Sequence, residues 1–323
     1  MRISKNELKS PNKFKKALSD YINSFRIYIL ENYGISFSEE ELGDLMLSAC
    51  RSNDFETLEK EGRSFKINTN HLENWVYEKL IPNTLLLKLD DVEVIRLLLF
   101  CIEMTYQMFS GGTKATITQK GFRERRRTFE SILVDQFVGK LDEIFLKKFL
   151  ESNFKVRVDL DWAISTDIET FRNDILNASD LVSIKTSPTL AGMWAEADKG
   201  YDYGIMVKCS IPQQPILQFF IEVCGFKRLL DFAKEKIPSN DETFTEYLER
   251  IRSRIREFKC GEIQTELKGF ICGYFRTIDY ETVKEGTELP YLGVVREERY
   301  IVPINELKWR KEEWNEFLKI LKF

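Results

Sequence analysis

The sequence predicts a mixed α/β protein of the α+β class, in which a helical N-terminal region precedes a mixed-sheet core flanked by helices. Apolar residues recur at helical spacing through most of the first hundred positions. Alternating or wholly apolar runs, which are typical of strands, follow in the second half and are interspersed with helical segments. We therefore expect a helical region over residues 1–109 and an α/β domain over residues 110–323.

Composition limits the chemistry that the chain can perform. With 323 residues, 43% of them hydrophobic and 31% charged, the sequence is that of an ordinary globular protein. His71 is the only histidine, which nearly excludes histidine-rich zinc sites and histidine-based triads. The six cysteines are scattered and form no CxxC motif, which predicts buried free thiols. Any catalysis must use carboxylates, lysine, a hydroxyl or a thiol.

Neither a membrane segment nor a secretory signal is predicted. No apolar run is long enough to span a bilayer. The first sixteen residues are basic but lack an apolar core. The expected location is cytoplasmic, with no membrane partner. A net charge of −4 gives no overall sign of nucleic-acid binding, so local basic clusters matter more.

The N-terminal region has helix signals from residue 12 to about residue 109. Ser38 and Glu41 have the spacing of a capping box, and Asp90 and Asp91 are candidate caps of a later helix. DNA binding, dimerisation and support of the second half are all compatible with this region.

A glycine-rich hinge and a basic run separate the two halves. Ser110-Gly111-Gly112-Thr113 permits backbone conformations that other residues avoid, although a plain turn explains it as well. An amphipathic helix is predicted over residues 123–138, and it carries Glu130 beside arginines. Glu130 either forms a surface ion pair or points into a cleft to help order a metal site. The basic residues are candidates for contacts with DNA phosphates or bases: Lys120, Arg123, Arg125, Arg126 and Arg127.

Alternating residues predict a strand over residues 154–164, which places Asp159 and Asp161 on one face. Two aspartates on one face are costly unless that face is wet or holds a cation. A second strand begins at Leu181 and ends near Lys185, before Pro188. Further strands are expected over residues 203–211, 217–225, 270–278 and 298–304, the last at a sheet edge because of Pro303, and a helix is expected over residues 311–321.

The acidic residues and the strand-end lysine are suited to cleavage of a phosphodiester. Glu130, Asp161, Lys185 and then Glu196 with Asp198 follow one another in the chain. Hydrolysis assisted by Mg²⁺ needs oxygen ligands for the ion and a cation that stabilises charge at phosphorus. This set supplies both without histidine.

At these residues the chain resembles the PD-(D/E)XK superfamily, and within it the type II restriction endonucleases. The similarity is to the branch with a Ser-x-Lys motif and an acidic residue displaced into the following helix. Ser183-Ile184-Lys185 stands at that motif, Asp161 or its rival Asp159 at the strand aspartate, and Glu196 or Asp198 at the displaced acid. Glu130 stands where the family has an early helix glutamate. No Pro precedes the candidate aspartate, and Lys185 is followed by Thr-Ser-Pro.

The resemblance implies a Mg²⁺-dependent, sequence-specific endonuclease that cuts double-stranded DNA and works as a homodimer on a palindromic site. Asp161, Glu196, Asp198 and Asp159 would be the metal ligands, and Lys185 would orient water and stabilise charge. A second alignment uses Asp202 with Glu222-Val223-Cys224 but leaves cysteine in the place of lysine. Two other functions remain open: a non-catalytic DNA-binding or regulatory protein, and an enzyme that uses a thiol such as Cys224.

Overall fold

Helices and four small sheets make up the described structure, which confirms the predicted α+β class. The structure is a computed structural model, and it describes residues 2–62, 64–89, 91–110, 129–163, 173–187, 189–211, 233–235, 240, 242–257 and 266–323. Several sequence predictions lie outside these residues: the Gly111-Gly112 hinge, the basic run from Lys120 to Arg127, and the strand over residues 217–225.

In the described part of the first 110 residues, helices alternate with short strands. The elements are β1 (Arg2–Ser4), α1 (Lys5–Lys9), α2 (Pro11–Ala17), α3 (Ser19–Tyr33), α4 (Glu39–Ser52), β2 (Leu58–Glu61), β3 (Ser64–Ile67), α5 (Thr69–Trp75), a π-helix (Val76–Leu80), β4 (Thr84–Lys88) and α6 (Val92–Ser110). Four strands occur among these helices, which the helical spacing of the apolar residues did not predict.

The second half contains α7 (Phe129–Phe154), β5 (Val182–Thr186), β6 (Trp194–Ala197), β7 (Tyr203–Ser210), α8 (Glu242–Glu257), β8 (Glu266–Arg276), β9 (Thr282–Val283), β10 (Glu288–Leu289), β11 (Gly293–Val294), β12 (Arg299–Pro303) and α9 (Lys311–Ile320). The strands predicted near residues 181–185, 203–211, 270–278 and 298–304 are confirmed, as is the C-terminal helix.

Two sheets position the candidate site. The four-stranded sheet has the order β4-β8-β7-β5, and β5 runs parallel to β7 with Lys185 opposite Met206. The three-stranded sheet has the order β6-β12-β9, and β12 pairs antiparallel with β6, so that Ile301 lies opposite Glu196. β12 was predicted at an edge but is the middle strand. Pro303 is tolerated there because β9 pairs only with Arg299 and Tyr300.

The chain forms two compact units, and this division differs from the boundary expected at residues 109 and 110. The first unit comprises residues 1–85, 97–210 and 269–323, and the second comprises residues 86–96 and 211–268. The first unit therefore holds the N-terminal helices together with β5, β6, β7 and β12. In the second unit, the Asp91 side chain accepts from the Glu93 amide (2.9 Å), which confirms Asp91 as a helix cap.

Aromatic side chains from three elements fill part of the core of the first unit. Tyr274 of β8 stacks on Phe317 of α9 with ring centroids 4.4 Å apart, and Trp314 lies edge-on to Phe149 of α7 at 5.4 Å. Trp314 and Phe317 are fully buried. Helix α4 begins with the predicted capping box, since the Ser38 amide donates to Glu41 (2.6 Å) and the Glu41 amide donates to Ser38 Oγ (3.1 Å).

The alternating run over residues 154–164 does not form the predicted strand. Helix α7 continues to Phe154, and Lys155 then has a φ of 60°, in the left-handed region that no strand contains. Only an isolated antiparallel bridge joins Leu160 to Ile175 in the described part of this segment. The alternation had indicated a strand, but in the described part of the chain the segment pairs only at this bridge.

A buried ion pair ties the N-terminal elements to the end of β12. Lys79 Nζ lies 2.6 Å from Asp54 Oδ2, and both side chains are almost fully buried. Trp75 Nε1 donates to the same oxygen (3.1 Å), and Lys79 also donates to the carbonyl of Ile304 (3.3 Å).

A loop over residues 189–193, which precedes β6, is held by helix α4 and by a buried lysine. Ser48 Oγ donates to the Gly192 carbonyl (2.6 Å), and Arg51 donates to the Ala191 carbonyl (3.1 Å). Lys208 of β7 donates to Ser48 Oγ (2.5 Å) and to the Leu190 carbonyl (2.8 Å).

Burial lowers the pKa of Lys208 from 10.5 to about 8, so this residue should couple stability to alkaline pH. Between these two values the unfolded chain holds the proton and the folded chain has lost it. The free energy of unfolding should therefore rise with pH across this window, by at most about 1.4 kcal/mol per pH unit. Urea unfolding at pH 8, 9 and 10 measures this slope, and it should be smaller in Lys208→Met than in the wild type.

Lys199→Met is the matched control, because Lys199 is exposed and pairs with Glu298 at the surface. Other groups titrate alike in all three proteins, so only the difference between their slopes is informative. Equal slopes in wild type and Lys208→Met would contradict a depressed lysine pKa.

No helix in the described part of the chain is long and apolar enough to cross a membrane.

Candidate functional site

Lys185 lies near the end of β5, where the strand passes from the core to a wetter edge. Val182, Ser183 and Ile184 are buried, whereas the Lys185 side chain is 40% exposed. The β-branched and apolar residues fix the strand against β7, and the long lysine side chain reaches outward with its ammonium group. This is the position that the sequence predicted.

Asp198 is the ion-pair partner of Lys185. Its Oδ2 lies 3.2 Å from Lys185 Nζ. Burial acts to lower the pKa of Lys185, but the negative charges of Asp198 and Asp174 outweigh it, so the pKa lies above its ordinary value. Lys185 is therefore a permanent cation at neutral pH. It can stabilise negative charge or hold a water by donating a hydrogen bond, but it cannot serve as a general base.

The family resemblance implied that the acids after Lys185 lie on a helix, but they do not. Trp194–Ala197 is strand β6, and its buried residues are Ala195 and Ala197, while Glu196 is half-buried on the other face. Pairing with β12 fixes this strand. Asp198 follows directly after the strand, so it is the end of β6 that brings Asp198 to Lys185.

Asp174, which was not among the predicted residues, is the carboxylate attached to the backbone of β5. Its Oδ2 accepts a hydrogen bond from the Ile184 amide at 2.6 Å. Burial raises the pKa of Asp174, although the Ile184 amide and the ammonium of Lys185 act in the opposite direction. Asp174 therefore lies beside Lys185 and is bonded to Ile184, the middle residue of the Ser-x-Lys motif.

Helix α7 contributes two more buried acids to the same place. Asp142 and Glu143 lie where the helix is buried on every side, and α7 packs against β5 and β7. Burial raises the pKa of Glu143 to about 8 even though Lys140 pairs with it at 2.6 Å. Burial, together with the charges of Glu143 and Asp174, raises the pKa of Asp142. We call Asp142, Glu143, Asp174, Lys185 and Asp198 the Lys185 cluster.

Two buried oxygens at this place have no hydrogen-bond partner among the described residues. Asp142 is 1% exposed, and its Oδ2 is unpaired, although its Oδ1 accepts from the Glu143 amide (2.8 Å). Ser183, the serine of the Ser-x-Lys motif, is fully buried, and its Oγ is also unpaired. Unpaired buried polar atoms are rare in folded proteins and suggest an unfilled interaction.

Arg299 of β12 links the two predicted acids of β6. Its guanidinium lies 2.8 Å from Glu196 Oε2 and 3.8 Å from Asp198 Oδ1, and it also contacts Glu297 at 3.0 Å. Burial acts to lower the pKa of Arg299, but the bond with Glu196 and the neighbouring negative charges raise it above the ordinary value. Sequence reasoning missed Arg299, because it lies about a hundred residues after Glu196 and reaches it only through the pairing of β12 with β6.

The two aspartates predicted for the first strand do not contact Lys185. Asp159 is exposed and pairs with Arg157 at 3.3 Å. Asp161 accepts from the Ala163 amide (2.8 Å) and lies close enough to Glu143 to help raise its pKa. Asp161 is therefore at the margin of the Lys185 cluster, and Asp159 is outside it.

Glu130 lies in the first turn of α7, and its side chain is outside the described residues. A helix rises about 1.5 Å per residue, which separates Glu130 from Asp142 by about 18 Å along the axis. The helix acids that the structure brings beside Asp174 are thus Asp142 and Glu143. A signal for them existed in the sequence. Leu141, Ile144 and Phe145 surround them, so a buried helix would have to bury the acids too.

The donors present are suited to Mg²⁺. Carboxylate oxygens are hard ligands, and Mg²⁺ commonly keeps several waters and binds through one or two carboxylates. Asp142 and Asp174 fit this requirement, because Asp142 is buried and has an oxygen without a partner among the described residues, and the half-buried Asp174 acts on it electrostatically. Among the described residues, no group of three or more His, Cys, Asp or Glu side chains is arranged to hold a metal ion.

The described thiols are not activated. Cys50, Cys101, Cys209 and Cys272 are free, and burial raises the pKa of each, to about 12 for Cys50 and Cys101 and about 11 for Cys272. Raised thiol pKa values oppose nucleophilic chemistry at neutral pH. Cys224 and Glu222, which the other predictions used, lie outside the described residues. Asp202, from the second alignment, accepts from the Leu181 amide (2.9 Å).

No family model, curated protein or solved structure matched the chain. Its function is therefore inferred from the geometry of the Lys185 cluster.

Proposed function

We propose that the chain is a Mg²⁺-dependent, sequence-specific endonuclease that hydrolyses phosphodiester bonds of double-stranded DNA. The observation that carries this proposal is the meeting of Lys185 with acids from three other parts of the fold. Asp198 pairs with it at 3.2 Å, Asp174 bonds to the amide of the preceding residue, and Asp142 lies buried beside Asp174 with one oxygen free. Lysine together with buried carboxylates is the set that phosphodiester hydrolysis requires when no histidine is available.

Each residue has a distinct role in this proposal. Asp174 and Asp142 would hold the ion, and Asp174 takes the role that the sequence had given to Asp161. When bound, Mg²⁺ would lower the pKa of a water and offset charge on the phosphate. Lys185, protonated throughout, would donate a hydrogen bond to the attacking water or to the phosphate oxygen on which charge develops. Asp198 would hold the ammonium in that position.

The direct test is cleavage of plasmid and phage DNA in a buffer that contains MgCl₂, because Mg²⁺ binds through carboxylates such as those of this site. Discrete fragments should appear, and EDTA should abolish them. Smearing of all substrates would contradict sequence specificity, and intact DNA across varied substrates would contradict the proposal itself. Because a palindromic site favours a two-fold symmetric enzyme, we also expect a homodimer in solution.

Identical substitutions at two aspartates distinguish the structural assignment from the sequence-based one. Asp174→Asn keeps the shape and an acceptor oxygen for the Ile184 amide but removes the charge, so cleavage should fall by at least about 100-fold, a loss typical of one catalytic electrostatic contact. Asp161→Asn should change cleavage by less than about fivefold, because Asp161 does not contact Lys185. Initial rates of plasmid nicking measure both. The reverse order of effects would restore Asp161 as the ligand.

A non-catalytic DNA-binding protein on the same fold is the second candidate. The pairing of Glu196 and Asp198 with Arg299 and Lys185 favours it, because acids already neutralised by side chains are less available to a metal. This candidate predicts specific DNA binding in EDTA, no cleavage with any divalent ion, and unchanged affinity in Asp174→Asn.

A further inference from the structure

The acids around Lys185 fall into two groups that differ in how their charge is balanced. In the first group, Glu196 and Asp198 are paired with cationic side chains. Arg299 lies 2.8 Å from Glu196 and 3.8 Å from Asp198, and Lys185 lies 3.2 Å from the other oxygen of Asp198. Two carboxylates thus face two cations, and Glu297 adds an outer carboxylate at 3.0 Å from Arg299.

The second group has more acids than cations. Asp142, Glu143 and Asp174 are three carboxylates, whereas Lys140 is paired with Glu143 alone, at 2.6 Å. Asp142 is 1% exposed and retains an unpaired oxygen. A charge buried without compensation is costly, so this group is the one that gains most from a cation.

Arg299 is built into the fold at this place rather than resting on the surface. It is the first residue of β12, its side chain is 26% exposed, and β12 pairs with the strand that carries Glu196. Guanidinium presents several donors in a fixed plane, so it can bond to two carboxylates at once. Removal of Arg299 would leave Glu196 and one side of Asp198 unbalanced.

We propose that Arg299 takes the place of a second metal ion in this site. It neutralises Glu196 and Asp198, and it thereby confines divalent cation binding to Asp142 and Asp174. Asp198 is then free to orient Lys185 rather than to coordinate metal. Arg299 is a positioning residue in this arrangement, since it acts on the reaction through Asp198 and Lys185. The inference rests on the proposed metal-dependent function and specifies how many ions the site holds.

Counting bound Mn²⁺ tests the inference without any measurement of cleavage. Free Mn²⁺ is titrated against the full-length protein and followed by its electron paramagnetic resonance signal. Wild type should bind one ion per chain. Arg299→Gln should bind two, because it exposes Glu196 and Asp198 as a new pair of oxygen ligands. Arg299→Lys should stay at one, because it retains a positive charge.

Arg2→Gln is the matched control, since Arg2 also pairs with a glutamate (Glu61, 2.9 Å) but on an exposed strand. It should bind one ion, as wild type does. Thermal unfolding of each variant verifies that the fold is retained. Glu196→Gln in the Arg299→Gln background should return the count to one, which a general loosening of the fold would not do.

The outcomes separate this inference from the proposed function. If wild type binds one ion that Asp174→Asn loses, but Arg299→Gln still binds one, Arg299 does not replace a metal and the function stands. Two bound ions in wild type would overturn the role of Arg299 but not the proposed function. No bound ion in either wild type or Arg299→Gln would overturn both.

Discussion

Replacement of Lys185 by alanine is expected to reduce Mg²⁺-dependent DNA cleavage by about 100- to 1000-fold while leaving the fold intact. The ammonium is the cation that the proposed mechanism places at the reacting phosphate, and loss of one such electrostatic contact commonly costs about 100- to 1000-fold in rate. Its removal also leaves Asp198 with one cationic partner instead of two. Single-turnover cleavage of a plasmid measures the loss in the chemical step.

The control for this prediction lies fourteen residues further along the chain. Lys199 follows Asp198 directly but pairs with Glu298 at 2.6 Å, and its side chain is 54% exposed. Lys199→Ala should therefore cleave within about twofold of wild type, since exposed ion pairs contribute little. Binding of DNA in Ca²⁺, measured by gel shift, should be retained in both variants. Full cleavage by Lys185→Ala would remove the central residue from the mechanism.

Asp54→Ala should lower the free energy of unfolding by about 3–5 kcal/mol. Its carboxylate accepts from Lys79 at 2.6 Å and from Trp75 at 3.1 Å, and both partners are at most 1% exposed. Alanine would leave the Lys79 ammonium buried with only the Ile304 carbonyl as a hydrogen-bond partner. Urea unfolding at pH 7 measures the change.

Two further variants separate the cost of an orphaned charge from the value of the pair. Asp54→Ala combined with Lys79→Met should recover much of the lost stability, because an apolar side chain then replaces the unpaired charge. Glu61→Ala removes the exposed pair with Arg2 and should change stability by less than about 1 kcal/mol. If the double variant were less stable than Asp54→Ala, the buried charge would not be the source of the loss.

The sequence predicted those elements in which the apolar residues are also the buried ones. Strand β7 and helix α9 carry continuous or periodic apolar residues, and both were found at the expected positions. Strands β1, β2 and β3 were missed because they are three or four residues long and mostly half-exposed. Such strands exist through their hydrogen bonds to each other, which a local pattern does not contain.

The candidate site was predicted in part for a similar reason. Lys185 and Asp198 were found together because Asp198 directly follows the strand after that of Lys185, only thirteen residues along the chain. Asp174 was missed because it is joined to β5 only by the hydrogen bond that its carboxylate accepts from the Ile184 amide. Arg299 was missed because it reaches Glu196 through the pairing of two strands that are distant in the sequence. Asp159 and Asp161 were favoured by an alternation that follows the left-handed residue Lys155 and forms only an isolated bridge among the described residues.

The anchoring of the 189–193 loop has a consequence for how this protein can be divided. Ser48 and Arg51 of helix α4 donate hydrogen bonds to carbonyls of that loop, and the loop leads directly into the strand that presents Glu196 and Asp198. A recombinant fragment starting at residue 110 would lack these hydrogen bonds, and Lys208 would lose the Ser48 hydroxyl that it contacts. The N-terminal helices are thus no exchangeable recognition module. Fusion of residues 110–323 to a different N-terminal domain would keep the charged side chains of the site but would remove helix α4, which holds the loop before β6.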